Sequence, residues 1–424
     1  MNDPDRSLLR NRGFQGHVGA QFFGAFNDNL FKQLILFLAA RELFPGDDKQ
    51  GLAFAVFSFP FILFSGIAGD FSERFSKRTV IVVMKVAEIV IMVAGAAVLQ
   101  QRSWAGMLLV LFLMGAHSAF FGPSKYGVIP ELVGKRRLLP ANGLIAMTTF
   151  LAILFGQAAA GPLLDRYGQQ LWVTGAWCVG FAAIGTAVAL IVPPLRALRP
   201  TMPIASNPFD GILASTRELR ADRRVFPVLL VNALFWFNGG VIQQALVGLG
   251  APAYLDIPKD QNWRLSVLLV VLASAIIVGS LCVAPIARHV RPGKLVAFGA
   301  ISMLSCQALL AAVVGWRGVD AYKPALLIVA LLGLTGAFFA VPVQTFLQDA
   351  PQEGTRGKTF AVNNFLNFTF IFLAGGYYFA SSKLRVAPTD SAAVAGLLMC
   401  AVLAIVRRSV LSIECPSDRA KLRV

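Results

Sequence analysis

The sequence is poor in charged residues. Only 14% of its 424 residues are Asp, Glu, Lys or Arg, and 56% are hydrophobic. Typical soluble proteins have about 25% charged residues. A chain of this size could not cover its apolar core with so little polar surface. The composition therefore excludes an ordinary soluble globular protein and indicates that lipid surrounds most of the chain.

Groups that carry out chemistry or bind metals are also scarce. None of the three histidines is followed five residues later by Asp, as the H-x-x-x-x-D box of an acyltransferase requires. The five cysteines are scattered, and their odd number and spacing fit neither a disulfide framework nor a zinc site. We therefore expect no cofactor, no metal and no enzymatic activity.

The chain contains long apolar runs instead, each about the 20 residues that a helix needs to cross a bilayer. The runs are continuous, whereas a barrel would need short alternating segments, so they predict helices. The sequence thus predicts an all-α integral membrane protein with twelve transmembrane helices. The predicted spans are 17–40, 51–70, 79–100, 104–124, 139–163, 171–193, 225–249, 265–286, 295–313, 324–346, 359–380 and 390–406.

The net charge of +16 follows the predicted topology. If the N-terminus is cytoplasmic, the cytoplasmic connections hold 26 Lys and Arg and the opposite connections hold 10; Lys32 and Lys85 complete the 38. This asymmetry is the positive-inside rule, and it places both termini in the cytoplasm. We therefore expect the basic residues to be attracted to the surface of the lipid bilayer, and we expect no nucleic-acid partner.

A polar interval at 194–224 divides the chain into two halves. Residues 1–193 form the predicted N-terminal six-helix bundle, 194–224 a cytoplasmic linker, and 225–424 the C-terminal six-helix bundle with a cytoplasmic tail. The fourth and tenth spans share the order of their aromatic residues, Pro, basic loop and Asn. Such an echo is typical of two parallel repeats, and it predicts two pseudo-symmetric bundles.

The connection between the second and third spans, 66–78, reads GIAGDFSERFSKR. It resembles the Gly-x-x-x-Asp loop signature of the major facilitator superfamily, although its central Gly is absent and its basic end is displaced. In that superfamily the loop acid braces the start of the eleventh helix. The resemblance implies a conformational latch between Asp70 and the region of Gly357 and Lys358. The predicted latch residues are Gly66, Asp70, Arg74, Lys77 and Arg78.

The first span contains charged residues, which are costly inside a bilayer. Asp28 and Lys32 are four residues apart, so they share a helix face and can pair. Asn27 and Asn29 flank the acid, and Gly24 lies one turn earlier on the same face. The group fits either substrate binding or gating, or an internal ion pair that only specifies packing.

Two further spans carry polar groups that face the same alternatives. Lys85 and Glu88, in the third span, are three residues apart and should point into the bundle or pair with one another. Asn363, Asn364 and Asn367, in the eleventh span, form a polar stripe that could line a cavity or bond to neighbouring helices.

Several of these segments together resemble the bacterial lysophospholipid transporter family. The matching segments run from residue 24 to residue 367, and the fourth-span motif contains Lys125, another candidate substrate-binding or gating residue. One departure is Ala146, where relatives often carry an acid. The segments are GAFNDNLFKQ, GDFSERFSKRTVIVVMKVAEI, MGAHSAFFGPSKYGVIPELV, ANGLIAMTTFLAILFG and FAVNNFLN.

The resemblance implies a carrier of the bacterial inner membrane that flips lysophosphatidylethanolamine and lysophosphatidylglycerol from the outer to the inner leaflet. A cytoplasmic acyltransferase or acyl-ACP synthetase would then restore the second chain. We expect a monomer in which Asp28 faces the ammonium group or gates the cavity. Lys32 or Lys85 would face the phosphate.

Two other functions stay open. A proton-coupled facilitator could export drugs, siderophores or other small amphiphiles, and Gly161-Pro162 in the fifth span is typical of antiporter helices, although weakly so. A lipid scramblase or an accessory of an acyltransferase would carry the same apolar helices without alternating access.

Overall fold

The computed structural model describes residues 8, 10–44, 47–134, 137–197, 199–201, 204, 207–287, 289–316, 320–349 and 356–411. The helices before the linker are α1 (Arg12–Arg41), α2 (Gln50–Arg74), α3 (Lys77–Gln100), α4 (Trp104–Gly127), α5 (Ile129–Val133), α6 (Leu138–Tyr167) and α7 (Leu171–Ala189). The remaining helices are α8 (Asp210–Arg220), α9 (Val225–Gly248), α10 (Trp263–Ile286), α11 (Pro292–Gly315), α12 (Tyr322–Asp349), α13 (Arg356–Lys383), α14 (Pro388–Ile405) and α15 (Arg407–Leu411).

Twelve of the helices in this described part are long, and they coincide with the twelve predicted spans. Ten of them are long and apolar enough to cross a membrane by length and composition alone. The other two long helices, α1 and α13, carry the charged and amide residues singled out from the sequence. Six long helices precede α8 and six follow it, which confirms the predicted all-α membrane fold.

The chain divides into two compact units. The first comprises Met1–Ile35, Val56–Asp210 and Asp260–Trp263, and the second comprises Leu36–Ala55, Gly211–Lys259 and Arg264–Val424. The change of unit after Asp210 lies inside the predicted linker, 194–224. Segments 36–55 and 260–263 each belong to a different unit from the rest of their half of the chain. A simple division of the chain at 193 and 225 does not include this exchange.

In the first unit, α3 packs against both α4 and α7. Small residues allow the close approach, since a Cβ built on Gly175 of α7 would overlap the backbone of Ala96 on α3. Segment 260–263 belongs here because the backbone N–H groups of Asn262 and Trp263 donate to the Asp165 carboxylate, at 2.7 and 2.8 Å. That acid therefore holds a segment from a distant part of the sequence.

In the second unit, α9 packs on α13 and α14, and α11 packs on α12 and α14. Segment 36–55, the end of α1 and the start of α2, belongs to this unit. Gly51 and Gly375 lie so close together that a Cβ on either would overlap backbone atoms of the other helix. Two glycines therefore let the start of α2 pack directly on α13.

The predicted loop at 66–78 is mostly helical. Helix α2 continues to Arg74 and α3 begins at Lys77, so the connection is only two residues long. The sequence FSERFSK is polar, but polar residues at the end of a membrane helix can continue the helix outside the hydrocarbon layer. The linker contains the helix α8. Residues 1–7 and 412–424, assigned to the two cytoplasmic ends, lie outside the described part.

Candidate functional site

The candidate site is centred on the middle of α1, where Asp28 is half-buried. One oxygen of its carboxylate accepts a hydrogen bond from the Ser118 hydroxyl of α4. The other oxygen, Oδ1, is shielded from solvent and has no hydrogen-bond partner among the described residues, and the same holds for Oδ1 of Asn27. Buried polar atoms in proteins are nearly always bonded, so each of these two acceptors can take a further hydrogen bond, from water or from a ligand.

The two charges of α3 form an ion pair with each other. Lys85 Nζ donates to Glu88 Oε2, and each side chain is only 1% exposed. The other oxygen of Glu88 accepts a hydrogen bond of 2.9 Å from Asn27. The predicted pairing of Lys85 with Glu88 is therefore confirmed, and the pair is attached to α1 through an amide.

Two glycines surround the ammonium group of Lys85. A Cβ built on Gly24 of α1 or on Gly185 of α7 would lie 3.0 Å from Lys85 Nζ. Thr186 Oγ1 also donates to the backbone oxygen of Lys85, at 2.9 Å. Lys85 is thus enclosed between α1 and α7, and this environment suits a fixed ion pair better than contact with an entering ligand.

Lys32 lies one turn from Asp28, as predicted, but the expected direct ion pair between them is absent from the ion pairs of the described residues. Lys32 Nζ donates to Asn29 Oδ1 at 3.2 Å and lies 5.1 Å from the ring centroid of Phe57. The reason is local: Asn29 is closer along the helix, and Ser118 of α4 bonds the carboxylate. The two charges still lie near enough to attract each other.

Lys125 of α4 is the third cation of the site. Its Nζ donates to Thr149 Oγ1 at 3.2 Å, and its backbone oxygen is 2.7 Å from His17 Nε2. Lys32, Lys85 and Lys125 all lie within electrostatic range of Asp28. The site therefore combines unused acceptors with several cations, an arrangement that can bind a ligand carrying both charges.

The amides of α13 belong to the second unit and have a different arrangement from the predicted one. Asn363 and Asn367 are buried and accept hydrogen bonds of 2.9 and 3.0 Å from Asn232 of α9. Asn364 is exposed and lies away from this group. One residue along a helix rotates a side chain by about 100°, so three such amides cannot all meet one neighbour. The two buried amides join α9 to α13.

The predicted latch residues lie at the end of α2 and the start of α3. Lys77 Nζ donates to Glu131 of α5 at 2.7 Å, and Arg78 Nε donates to the backbone oxygen of Val192 at 2.7 Å. Both cations therefore bind partners inside the first unit. Arg74 lies beside the ring of Phe75, 5.7 Å from its centroid.

Two other latch residues have separate surroundings. A Cβ on Gly66 would overlap the backbone of Pro208, so glycine allows the linker to approach α2. Asp70 is half-buried on α2. On the second unit, Lys358 donates to Glu218 of α8 at 2.6 Å. The latch itself stays a prediction.

Sequence reasoning missed two side chains of the site, Ser118 and Thr149, which bond Asp28 and Lys125. His117, which the sequence favours as a packing residue, has its Nε2 3.8 Å from Glu88 Oε2. Ser118 and His117 are within the fourth-span motif that carries the resemblance, but a hydroxyl in an apolar helix usually bonds its own backbone. Only the packing of α4 on α1 and α3 could show that they serve the charged groups.

Among the described residues, twelve long helices and a charged cluster inside the first unit are typical of a multi-pass membrane carrier. A sequence model of the Major Facilitator Superfamily matches residues 18–375, so the chain belongs to that superfamily and is a transporter.

Within this superfamily, the chain is similar to proteins named as lysophospholipid transporters. The lysophospholipid transporter LplT of Salmonella gallinarum is 30% identical over 379 residues, 87% of each chain. That of Cronobacter sakazakii is 29% identical over 390 residues, 90% of this chain and 91% of its own.

Solved structures agree with the fold. A POT family transporter in complex with 5-aminolevulinic acid aligns with a TM-score of 0.71 at 11% identity, over 93% of this chain and 95% of that one. The nucleoside transporter NupG aligns with a TM-score of 0.68 at 11% identity, over 95% of this chain and all of that one. These likenesses concern the fold alone.

Proposed function

We propose that this protein transports lysophospholipids, moving lysophosphatidylethanolamine and lysophosphatidylglycerol from the outer to the inner leaflet of the bacterial inner membrane by alternating access. The relatives named as lysophospholipid transporters over most of the chain support the substrate class. The observation that carries the proposal is the shielded, unbonded oxygen of Asp28 beside three lysines.

A lysophospholipid needs such a site because its head group cannot enter hydrocarbon without losing its water, at a cost of several kcal/mol or more. Charged protein groups can replace that water. The single acyl chain needs no such help and can stay against apolar side chains or in lipid. A carrier for this class therefore needs a small ionic site and many apolar walls, in agreement with the low charge of the chain.

The geometry supports a division of roles within the head group. Asp28 Oδ1 is the acceptor available to the ammonium group of an ethanolamine. Lys32 and Lys125 are the cations for the phosphate, because Lys85 is already paired with Glu88 and enclosed. Inside the cell, an acyltransferase or acyl-ACP synthetase would use the transported lipid. In this proposal both ends of the protein chain face the cytoplasm.

Asp28 is the residue to test. Asp28→Ala should abolish uptake of labelled lysophosphatidylethanolamine into vesicles, because the ammonium group loses its counter-charge, while membrane insertion and monodispersity stay unchanged. Asn364→Ala, an exposed position on α13, serves as the control and should transport normally. Full transport by Asp28→Ala would remove this assignment.

A proton-coupled exporter of drugs or siderophores is the second candidate, because the half-buried acid on α1 would also suit a protonatable site. Transport assays with and without an imposed pH gradient separate the two functions. Uptake of lysophosphatidylethanolamine without a gradient supports the lipid carrier. Strictly gradient-dependent export of an unrelated amphiphile, with no lipid uptake, would instead support the exporter.

A further inference from the structure

An open groove of about 440 Å³ lies between α3 and α7. Its size falls in the range of about 300–1,000 Å³ typical of ligand sites. The walls are nearly all apolar, and Ala96 forms the floor where Gly175 packs against it. The lining includes Val93, Ala97, Gln100, Trp172 and Ala176.

The groove lies at the ends of α3 and α7 that are predicted to face away from the cytoplasm. From Val93 to Gln100 it follows about two helical turns, roughly 11 Å at 1.5 Å per residue. That is about a third of a hydrocarbon layer of about 30 Å. Val93 and Trp172 are 54% and 53% exposed, so apolar side chains here face the membrane. The upper part of one acyl chain fits such a groove.

The polar end of the groove is built by two loops that bond each other. Arg102, after α3, donates to the backbone oxygen of Gly168 at 3.2 Å, and the backbone N–H of Trp172 donates to Gln100 Oε1 at 3.2 Å. Beside them is a second hollow of about 250 Å³, lined by Arg166, Tyr167, Gln169 and Gln170. Amides and guanidinium groups therefore meet at the level of the lipid head groups.

The charge at this end is unusual for its side of the membrane. Positive charges are scarce on the outer side of inner-membrane proteins, yet Arg102 bonds Gly168, two residues after Arg166 at the end of α6. Both side chains are exposed. The neighbouring acid, Asp165, already binds the backbone N–H groups of Asn262 and Trp263. The two guanidinium groups thus keep donors for an anion.

Arg102 also occupies a position where glycine is favoured. Its φ is 50°, and it follows the last turn of α3, with its N–H bonded to Leu99 and that of Ser103 bonded to Val98. This is the left-handed end of a helix, at which any residue except glycine carries a conformational cost.

We propose that the groove between α3 and α7 binds an anionic glycerophospholipid of the outer leaflet. One acyl chain lies between Val93, Ala97 and Ala176, and the phosphate lies against Arg102 and Arg166. This lipid is a resident of the outer surface of the first unit, separate from the ligand of the Asp28 site.

The test uses the full-length protein in nanodiscs of phosphatidylcholine that contain a small fraction of phosphatidylglycerol with a photoreactive acyl chain. After illumination, peptide mass spectrometry locates the attached lipid. Attachment should be concentrated in residues 93–101 and 172–179. A phosphatidylcholine probe with the same photoreactive chain should label these segments several-fold less.

Two sets of variants separate the chain from the head group. Ala97→Phe with Ala176→Phe fills the groove and should abolish the attachment. Gly180→Phe serves as the control, because a Cβ there meets nothing within 4 Å and the residue lies beyond the groove. Arg102→Gln and Arg166→Gln should each lower the labelling about fivefold, the effect of one cation near an anionic lipid.

Equal labelling by the two probes would overturn the head-group assignment. Unchanged labelling after the groove is filled would overturn the site itself. Lysophospholipid transport by the groove variants is measured in parallel. Because the groove and the Asp28 site are separate, the labelling result tests the groove and the transport result tests the proposed function.

Discussion

At the level of single residues, the buried Lys85–Glu88 ion pair allows a quantitative prediction about the free energy of unfolding. A buried charge that loses its partner costs about 3–5 kcal/mol, whereas replacing both partners by apolar residues is often nearly neutral. Both side chains are almost completely buried. Lys85→Met should therefore lower the free energy of unfolding by about 3–5 kcal/mol, and Lys85→Met with Glu88→Met should recover most of the loss. Denaturant titration in detergent measures both values.

An exposed pair provides the matched comparison. Lys358 and Glu218 are 46% and 48% exposed, and exposed ion pairs contribute less than about 1 kcal/mol. Lys358→Met should therefore change stability only slightly. If Lys85→Met were equally mild, water would have to reach the α3 pair, and the enclosure by Gly24 and Gly185 would not hold in the membrane.

At the scale of helices, Asn232 joins α9 to α13 through two hydrogen bonds. Such bonds between membrane helices contribute about 0.6 kcal/mol each. Asn232→Leu should lower the free energy of unfolding by about 1 kcal/mol. Asn364→Ala removes an exposed amide from α13 and should have no measurable effect on the free energy of unfolding. An equal loss in both variants would show that the α13 amides act together, contrary to the observed packing.

The helices also show what the sequence can and cannot predict. The twelve spans are predictable because lipid requires long apolar runs, and the Lys85–Glu88 pair is predictable because residues three apart share a helix face. The contact of Asp28 with Ser118 depends on how α4 packs against α1, which periodicity does not encode. The extension of α2 to Arg74 was missed because polar helix ends have the composition of loops.

At the scale of the whole molecule, the least predictable feature is that segment 36–55 belongs to the second unit. Around Asp48, Gln50 Nε2 donates to its carboxylate at 2.7 Å, and Ser382 donates to its backbone oxygen at 2.8 Å. Tyr378 lies 3.3 Å from the same carboxylate. Close packing of Gly51 on Gly375 adds to these bonds. If the proposed alternating access operates, we expect this segment to separate from α13 when the outer side opens.

Asp48 makes that separation sensitive to pH. Burial raises the pKa of its carboxyl group above the ordinary value, whereas a hydrogen bond from Lys383 lowers the pKa of neighbouring Asp47. Separation would return Asp48 to water and its pKa to the usual range. The packed arrangement is therefore favoured in acid, where the carboxyl is protonated, and loses that advantage as pH rises through the raised pKa.

We expect a cysteine at position 52 to report this change. In a background without native cysteines, labelling of Leu52→Cys by a membrane-impermeant maleimide should rise with pH, relative to Gln101→Cys, an exposed reference directly after α3. Asp48→Asn should abolish the rise, because an amide does not titrate. Asp47→Asn should keep it, because the lowered pKa of Asp47 gives a dependence of opposite sign. A rise that survives in Asp48→Asn would assign the pH dependence to a group other than this carboxyl.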